Sequence, residues 1–415
     1  MDAKIDMAIG TTGVTGGNTW LGYINRALPW LAAAMCASTI FSIALANMLL
    51  AFLVVIWSFT NIAGGGNKIV KDPLLLPALA VLIIRLLSLI LSPVAPTIED
   101  SAHKIIFIIP FFIISQMAFT EKQLSWLMWI LLGIGVLLTV ISALPGIAGV
   151  LEGKQVRIRS TSGGYYTLAM LETLLISMGL AAAFYTKDLR WRIVLFICLA
   201  VYMLGLLLTW SRGPWFATLT AFLLIALVYR RRVIWVAITF ILAALVAVYA
   251  SGNLGIGGRF DPLSPDFDSQ RFQYWRIGFS HFLGQAAFPA SWSEAPQAIL
   301  RWALGRGPDA TIATMNGYQS DYITILVESG ILGIIVHLWF AISIIFWSFR
   351  RFLQSEKRVP RMIALGAFGC SVTWIVGGFF GDLIKDPQYY LLLMSLLGLS
   401  VAAEPVKSRL HEGGR

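Results

Sequence analysis

The chain has 415 residues, of which 58% are hydrophobic and 13% are charged, and its formal net charge is +10. Soluble globular domains carry about 25% charged residues, so this composition excludes an ordinary soluble protein. Repeated apolar runs of about 18 to 25 residues predict helices that span a membrane, because a membrane β-barrel shows alternating segments of about 10 residues. Much of the basic excess lies in short loops, so we expect no nucleic-acid partner.

Apolar segments recur along the chain and predict about 12 transmembrane helices in one integral membrane domain, residues 1–415. The predicted fold class is an all-α polytopic membrane protein. The N-terminal residues lack a charged region followed by an apolar one, so we expect no cleaved signal peptide. The apolar segments cover residues 28–44, 46–63, 74–93, 105–119, 124–148, 167–186, 192–210, 214–229, 233–250, 322–349, 361–380 and 388–403.

Clusters of lysine and arginine occupy alternate loops between these segments. The positive-inside rule assigns such clusters to the cytoplasm, and the alternation then predicts that both termini are cytoplasmic. The clusters are Lys68 and Lys71; Lys187, Arg190 and Arg192; Arg230, Arg231 and Arg232; Arg350, Arg351, Lys357, Arg358 and Arg361; and Lys407, Arg409 and Arg415.

The longest segment that is not apolar, residues 251–321, is predicted on the opposite side as a large loop with short amphipathic helices. Three predicted outer segments, this loop included, carry arginine against the positive-inside rule. Either these are solvated charges that the inner clusters outweigh, or they converge on an anion at the outer surface under the large loop. We favour the second interpretation. The arginines on which this interpretation rests are Arg157 and Arg159, then Arg212, then Arg271, Arg276, Arg301 and Arg306.

Arg212 lies between two apolar runs in LLLTWSRGPWFATL, directly before Gly213 and Pro214. Proline is tolerated in the first turn of a helix, and the N–H groups of that turn attract anions. A guanidinium group beside them can hold phosphate or pyrophosphate. The alternative is an interfacial arginine that extends its head group to water. Arg271 and Arg276 lie on FDSQRFQYWRIGFSHF, an aromatic amphipathic stretch that fits either a binding element or a surface anchor.

A second polar cluster precedes the next predicted helix. Arg306 lies in the motif GRGP, where glycine allows the backbone to approach a ligand closely. Asp321 begins an apolar helix in YQSDYITILVESGILG, where it is either a helix cap or a residue of the site. Gln319 and Tyr322 lie beside it in the sequence. These residues would reach the same membrane surface as the arginines.

Three charged residues lie deep inside predicted spans: Arg85, Glu172 and Glu328. Intramembrane charges are costly and usually paired, so we expect either acid to neutralise Arg85. The three cysteines and four histidines are scattered without metal-binding spacing. We therefore expect no metal site and no cofactor.

Several of these segments together resemble the O-antigen ligase and polymerase superfamily. They are TWSRG after an apolar run, QRFQYWRIGF in a large outer loop, GRGP, and DYITILVESGILG at the start of a helix. VRIRSTSGGYYTLAML resembles an earlier outer-loop motif of the same family. The resemblance extends from about Arg157 to Gly333, and it rests on the order and spacing of the motifs.

Members of this family transfer a glycan from an undecaprenyl-pyrophosphate carrier to an acceptor hydroxyl, without a metal, at the periplasmic face of the bacterial inner membrane. The resemblance implies that Arg212 and Arg271 hold the pyrophosphate leaving group. The implied partners are the undecaprenyl-pyrophosphate-linked oligosaccharide and the lipid bilayer, with a chain-length regulator protein as a further candidate. The remaining residues implied to bind pyrophosphate or glycan are Arg157, Arg159, Arg276, Arg306, Gln319 and Tyr322.

The chain departs from the family at one position. Ligases usually carry a histidine where this chain has Gln319, and glutamine cannot act as a general base because it does not titrate. Either Asp321 accepts the proton, or a strongly oxocarbenium-like transition state needs little base help. The departure favours a polymerase of oligosaccharide repeat units over an O-antigen ligase. A transporter of lipid-linked glycan is the hypothesis of another class, and it predicts charges or broken helices near the bilayer midplane.

Overall fold

The computed structural model describes residues 19–63, 72–91, 105–152, 157–161, 163–229, 233–253, 271–285, 295–307 and 318–403. Within these ranges the chain is helical and contains no strand, as predicted. Both chain ends, the basic clusters at 68–71 and 230–232, and residues 254–270, 286–294 and 308–317 of the predicted large loop lie outside the described residues. The prediction that both termini are cytoplasmic concerns residues of this kind and stays a prediction.

The helices follow the apolar segments of the sequence. One segment differs: residues 105–119 contain a helix of seven residues, Ile109–Ser115, which is too short to cross a bilayer. The helices are α1 (Thr19–Thr39), α2 (Ile43–Ala63), α3 (Leu75–Ile90), α4 (Ile109–Ser115), α5 (Glu121–Leu151), α6 (Tyr165–Tyr185), α7 (Leu189–Leu208), α8 (Arg212–Val228), α9 (Val233–Asn253), α10 (Arg271–Gln285), α11 (Ala295–Leu304), α12 (Asp321–Gln354), α13 (Arg358–Gly377) and α14 (Pro387–Ala402), with a 3-10 turn at Leu383–Lys385.

Six of the described helices are long and apolar enough to cross a membrane, namely α2, α5, α6, α7, α12 and α13. Shorter apolar helical stretches accompany them, namely α3, α8, α14 and residues Ile234–Val246 of α9. A helix of 20 residues is about 30 Å long, which matches the hydrocarbon thickness of a bilayer. The fold is therefore that of a multi-pass helical membrane protein.

The centre of the bundle is formed by α6, α13 and α14. Every residue from Thr167 to Ala183 is buried in α6, and nearly all of α13 and α14 is buried as well. A helix that is apolar on all sides belongs in the interior of a bundle. Glycines allow these helices to approach one another closely. A Cβ at Gly366 of α13 would lie 2.4 Å from the sulfur of Met178 of α6. Small residues of this kind are typical of helix contacts in membranes.

Helix α12 is broken at Gly330, whose φ of 66° and ψ of −166° are not helical. The break leaves carbonyl groups without partners in their own helix, and the segment after α11 supplies donors. The N–H groups of Arg306 and Gly307 donate to the carbonyls of Val327 and Glu328, each at 2.9 Å. The Ser88 hydroxyl also donates to the Glu328 carbonyl. Irregular backbone inside a membrane protein is tolerated where protein groups bind it in this way.

The two ends of the bundle differ in their connections. Helix α6 starts at the end that contains the Arg212 turn and finishes at the end that contains Lys187, and α13 runs in the opposite direction. Short turns at 186–188 and 355–357 connect helices at the second end. At the first end, the segments at 157–164, 209–211, 318–320 and 378–386 contain most of the non-helical backbone near the predicted site.

Candidate functional site

The turn before α8 presents Arg212 at the first position of the helix. Trp210 adopts a left-handed conformation with φ of 52°, Ser211 is extended, and the helix begins at Arg212 with Pro214 in its first turn. This is the local structure that the Arg-Gly-Pro sequence predicts. The Trp215 indole N–H donates to the Leu206 carbonyl at 2.9 Å and fixes the turn from within.

Arg157 reaches this turn from the segment that precedes α6. Its Nη2 donates to the Trp210 carbonyl at 3.4 Å, and its guanidinium carbon lies 4.3 Å from the centre of the Tyr165 ring. Arg159 is exposed, whereas its neighbours Ile158 and Ser160 are buried. Of the two predicted arginines in this segment, Arg157 therefore joins the Arg212 turn and Arg159 faces solvent.

Phe380 connects Arg271 to the same turn. The guanidinium carbon of Arg271, the first residue of α10, lies 5.6 Å from the centre of the Phe380 ring. On the other side, a Cβ placed on Gly213 would lie 2.4 Å from the Cβ of Phe380. Phe380 also stacks on Phe216 of α8, with ring centres 6.1 Å apart. Arg271 and the Arg212 turn thus share one aromatic neighbour, and we call Gly213, Phe216, Arg271 and Phe380 the Phe380 cluster. Arg276 is exposed on α10.

The segment 378–386 is the part of this site that the sequence analysis did not identify. Asp382 accepts hydrogen bonds from the N–H groups of Ser320 at 3.0 Å and Gln319 at 3.3 Å, and from the Thr324 hydroxyl at 2.6 Å. Desolvation raises the pKa of Asp382, although Lys385 and the Thr324 hydroxyl act in the opposite direction. A sequence signal did exist: GGFFGDLIKDP places two acids and a lysine in a short stretch between two apolar helices.

Asp386 attaches the end of the same segment to α6 and α14. Its Oδ1 accepts from the Tyr389 N–H at 3.1 Å, and its Oδ2 accepts from the Thr167 hydroxyl. Desolvation raises the pKa of Asp386, and the hydrogen bond from Thr167 partly offsets this. Because Asp386 caps α14 and bonds to α6, it fixes where the segment leaves the site.

Asp321 faces the segment 378–384 and is only 3% exposed. Its Oδ1 accepts from the Ile384 N–H at 2.8 Å, and its own N–H donates to the Gly378 carbonyl at 2.8 Å. The N-cap of α12 is Ser320, so Asp321 binds the backbone of another segment and not that of its own helix. Its Oδ2 has no hydrogen-bond donor within the described part of the chain.

Gln319 and Tyr322, which lie close to Asp321 in the sequence and were predicted to contact substrate, differ in their environments. Gln319 is half-buried and adopts φ of 52°, which directs its N–H to Asp382. The Tyr322 hydroxyl donates to the Ile375 carbonyl at 2.7 Å, and its ring packs on Phe379 with centres 4.4 Å apart. Tyr322 thus uses its hydroxyl to join α12 to α13.

Arg306 lies near Tyr318, which precedes the 319–320 backbone that Asp382 binds. The Tyr318 hydroxyl is 2.7 Å from His281 Nδ1. Burial raises the pKa of Tyr318 to about 12; the nearby charge of Glu328 acts in the same direction, and that of Arg306 opposes it. Glu328 is in turn 3.8 Å from the Lys385 ammonium group. Arg306 therefore belongs to a cluster with Tyr318 and Glu328.

Arg85 and Glu172, two charged residues inside the bundle, have partners that the sequence did not predict. Arg85 donates its Nε–H to His337 Nε2 at 3.2 Å, and His337 Nδ1 is 2.8 Å from the Gly333 carbonyl. Glu172 instead accepts from the Thr139 hydroxyl at 3.1 Å, beside Gly205 of α7. The prediction that Glu172 could neutralise Arg85 is wrong, because it contacts α5 and α7 and not α3.

Metal-binding side chains do not gather in the described part of the chain. No group of three or more histidine, cysteine, aspartate or glutamate side chains there could hold an ion. Cys36, Cys198 and Cys370 are free thiols that pack in or against the core.

In the described site, Arg271 contacts Phe380, Phe380 packs on the Arg212 turn, and Arg157 donates to the same turn. Asp382 fixes the adjacent 319–320 backbone. Arginines from three separate segments thus lie at or near one turn at the start of a helix, and this arrangement is suited to an anion such as a phosphate or pyrophosphate. Searches of protein-family models and of curated proteins find no match to this chain.

Proposed function

We propose that the chain is a membrane glycosyltransferase that polymerises undecaprenyl-pyrophosphate-linked repeat units at the periplasmic face of a bacterial inner membrane. The proposal includes about 12 spans, cytoplasmic termini and a periplasmic loop at 251–321 over the site. Its main support is that Arg271 and the Arg212 turn contact the same side chain, Phe380, and that Arg157 bonds to that turn. These arginines belong to the motifs that carry the resemblance to O-antigen ligases and polymerases.

The proposed reaction moves a growing glycan from its carrier to a repeat unit on a second carrier. An acceptor hydroxyl attacks the anomeric carbon of the donor, and the bond from that carbon to the pyrophosphate oxygen breaks. Negative charge then accumulates on the departing undecaprenyl pyrophosphate. Arg212 and Arg271 stabilise this charge, as preorganised donors do in other transfer reactions. Arg157 holds the Arg212 turn and adds positive charge beside it.

The acceptor proton must also leave, and two carboxylates are near. Asp321 was the candidate from the sequence, but it is 3% exposed and bonded through Oδ1 to Ile384. Asp382 is more accessible and lies directly beside Gln319. Its raised pKa brings it closer to the range in which a carboxylate is an effective general base. We therefore add Asp382 to Asp321 as a candidate base.

Alanine substitution of Arg212 or Arg271 tests the proposal. The assay uses purified protein in liposomes with undecaprenyl-pyrophosphate-linked repeat units, and product length is read on a gel. Each substitution should lower polymer formation about 100- to 1,000-fold, the usual effect of removing a donor to a charged transition state. Arg190→Ala is the matched control, since Arg190 is exposed at the opposite end of the bundle. Polymer of wild-type length and yield from both variants would refute the proposal.

The alternative acceptor, lipid A-core or another carrier, makes the protein a ligase with the same donor chemistry. The lipid-linked intermediates of a deletion strain separate the two activities. Loss of a polymerase leaves single repeat units on the carrier, whereas loss of a ligase leaves long chains there. Accumulation of long chains would assign the ligase reaction.

Transport of a lipid-linked glycan is the candidate of another class, and the break of α12 at Gly330 favours it. The break lies nine residues after Asp321 and so well inside the helix. However, Arg306, Gly307 and Ser88 already bind the carbonyls of Val327 and Glu328 beside it. Those carbonyls are thus engaged by protein groups before any substrate arrives. Movement of substrate across liposomes without formation of a glycosidic bond would support transport instead.

A further inference from the structure

A cavity opens at the end of the bundle opposite the Phe380 cluster. Its volume is about 360 Å³, and it lies between the starts of α5, α7 and α13 and the end of α6. Ligand sites in proteins usually have volumes of about 300 to 1,000 Å³, so the cavity can accept part of a small molecule. We call it the Trp129 cavity, and the residues on which the argument depends are Trp129, Leu132, Lys187, Trp191, Arg358 and Met362.

The entrance of the Trp129 cavity is positively charged. Lys187 and Arg358 line it and are exposed. Arg192 adds a third cation, because its guanidinium group donates to the carbonyl of Thr186, another lining residue, at 2.7 and 3.1 Å. The one acidic lining residue, Asp188, uses its carboxylate to accept the Arg190 N–H at 2.9 Å as the cap of α7. Positive charge therefore exceeds negative charge at the entrance.

The first turn of α13 increases the preference for an anion. Its N-cap, Lys357, forms no side-chain hydrogen bond to the turn, so the cap side chain does not satisfy the first N–H groups. A helix N-terminus attracts negative charge, and a cation in the first turn is unfavourable there. Arg358 is such a cation. An anion bound between Arg358 and Lys187 would be attracted by both side chains and by the helix terminus.

The inner wall of the Trp129 cavity is apolar and lies where membrane helices begin. Leu132 and Met362 are buried, and they line it one or more turns inside α5 and α13. Trp129 and Trp191 pack together with ring centres 5.0 Å apart, and Trp191 is 53% exposed. Tryptophan is enriched at the level of lipid headgroups. A ligand that matches the whole cavity has an anionic group and an apolar chain.

We propose that the Trp129 cavity binds an anionic phospholipid of the leaflet at this end of the bundle. The phosphate group lies between Lys187 and Arg358, and an acyl chain follows the wall of Leu132 and Met362. The basic clusters predict that this end is cytoplasmic, where anionic lipids give the membrane surface its negative potential. Basic pockets between membrane helices on that side are a known form of lipid recognition. The proposal concerns the opposite end from the transferase site and does not depend on its activity.

Native mass spectrometry of the full chain in detergent tests the proposal, with phosphatidylglycerol, phosphatidylcholine and inorganic phosphate as probes. Wild-type protein should bind phosphatidylglycerol in preference to phosphatidylcholine. The Lys187→Gln/Arg358→Gln variant should bind phosphatidylglycerol about 10- to 30-fold more weakly, because two charges that attract the headgroup are lost. The charge-preserving variant Lys187→Arg/Arg358→Lys should retain most of the binding. This retention distinguishes loss of charge from loss of fold.

The matched control is Lys122→Gln/Arg190→Gln. It also removes two positive charges, but from exposed residues at the same end that do not line the cavity. It should bind phosphatidylglycerol as the wild type does. An equal loss in this control would overturn the proposal, since it would show a general effect of net charge. Unchanged binding in the Lys187 and Arg358 variant would also overturn it. So would competition by inorganic phosphate at the same concentration as lipid, which would indicate a site for a free anion.

Discussion

The two ends of the helical bundle carry charge in opposite ways. At the Phe380 end, acidic side chains are largely withdrawn from solvent and accept backbone N–H groups from other segments, as Asp321 does from Ile384 and Asp382 from Ser320. At the Trp129 end, Lys187 and Arg358 are exposed, and the Lys357 ammonium forms an exposed ion pair with Glu121 at 3.0 Å, with side chains 60% and 48% exposed. The buried acids at the Phe380 end thus fix backbone segments, whereas exposed cations at the Trp129 end can contact solvent or a ligand.

This difference has an energetic consequence. A buried acceptor that loses its donor, or a donor that loses its acceptor, costs about 1 to 3 kcal/mol, whereas an exposed ion pair contributes about 0 to 1 kcal/mol. Substitutions at the Phe380 end should therefore change stability and activity strongly. Substitutions at the Trp129 end should change ligand binding and leave the fold intact. The following predictions test this contrast.

The largest effect is expected from Gly330→Ala. Alanine at this φ and ψ is strained, and its Cβ would lie 2.3 Å from the Ala303 carbonyl oxygen. The free energy of unfolding should fall by about 3 kcal/mol, and thermal unfolding in detergent would measure it. Gly133→Ala is the control, since a Cβ there meets nothing within 4 Å in α5. That variant should be as stable as the wild type or about 0.5 to 1 kcal/mol more stable.

The next largest effect is expected from Arg157→Ala, in comparison with Arg159→Ala in the same segment. Arg157→Ala removes the hydrogen bond to Trp210 and the contact with the Tyr165 ring. Hydrogen bonds to charged groups are worth about 1.5 to 3 kcal/mol, so polymer formation should fall about 10- to 100-fold. Arg159→Ala, at an exposed position, should lower it about threefold or less. Equal losses in the two variants would show that exposure does not distinguish their roles.

A smaller effect is expected on the pH dependence of stability, to which Asp382 contributes. Its pKa in the folded protein is raised above the ordinary value of 3.8, so the folded state binds this proton more strongly than the unfolded state does. The resulting stabilisation is complete below about pH 4 and is lost as pH rises through the raised pKa. The melting temperature of the wild type relative to Asp382→Asn should therefore increase on acidification from pH 7 towards pH 4. The difference is on the order of 1 kcal/mol.

Parallel melting curves of the two proteins across this pH range would contradict the assignment of a raised pKa to Asp382. Asp386 also has a raised pKa and remains in both proteins, so its contribution cancels in the comparison. The measurement therefore reports on Asp382 itself.

The smallest effect is expected at the Trp129 end from Lys357→Ala. Its ion pair with Glu121 is largely exposed and screened by salt, so unfolding should change by about 0.5 kcal/mol or less. Thermal unfolding at low and high salt would detect any larger contribution. A loss comparable with that of Gly330→Ala would remove the contrast between the two ends.

Much of the local structure could be predicted from the sequence. Apolar runs predicted nearly all of the helices, because burial in lipid or in a bundle requires continuous apolar surface. Arg-Gly-Pro predicted the helix start at Arg212, and Asp321 was expected where α12 begins. The exception at 105–119 has a physical reason: apolar composition allows a span but does not require one, and Phe111 packs on Phe340 in the interior instead.

Contacts between distant segments could not be predicted in the same way. The sequence ESGILG reads as continuous apolar helix, and only the docking of Arg306 and Gly307 on the Val327 and Glu328 carbonyls accounts for the break at Gly330. Asp382 and Ser320 are 62 residues apart, and no local pattern joins them. The contacts of Phe380 with both Arg271 and the Arg212 turn, on which the proposed anion site depends, likewise form only in the packed bundle.

The sequence alone therefore determined that the protein is a helical membrane protein and where most of its helices lie, and it supplied the arginines proposed to bind an anion, because hydrophobicity and helix-start preferences act over a few neighbouring residues. The tertiary structure decided which arginines lie together, which carboxylates are withdrawn from solvent and where a cavity opens between Lys187 and Arg358. Those features depend on how buried polar groups from separate helices satisfy one another, and that balance is settled only when the helices pack.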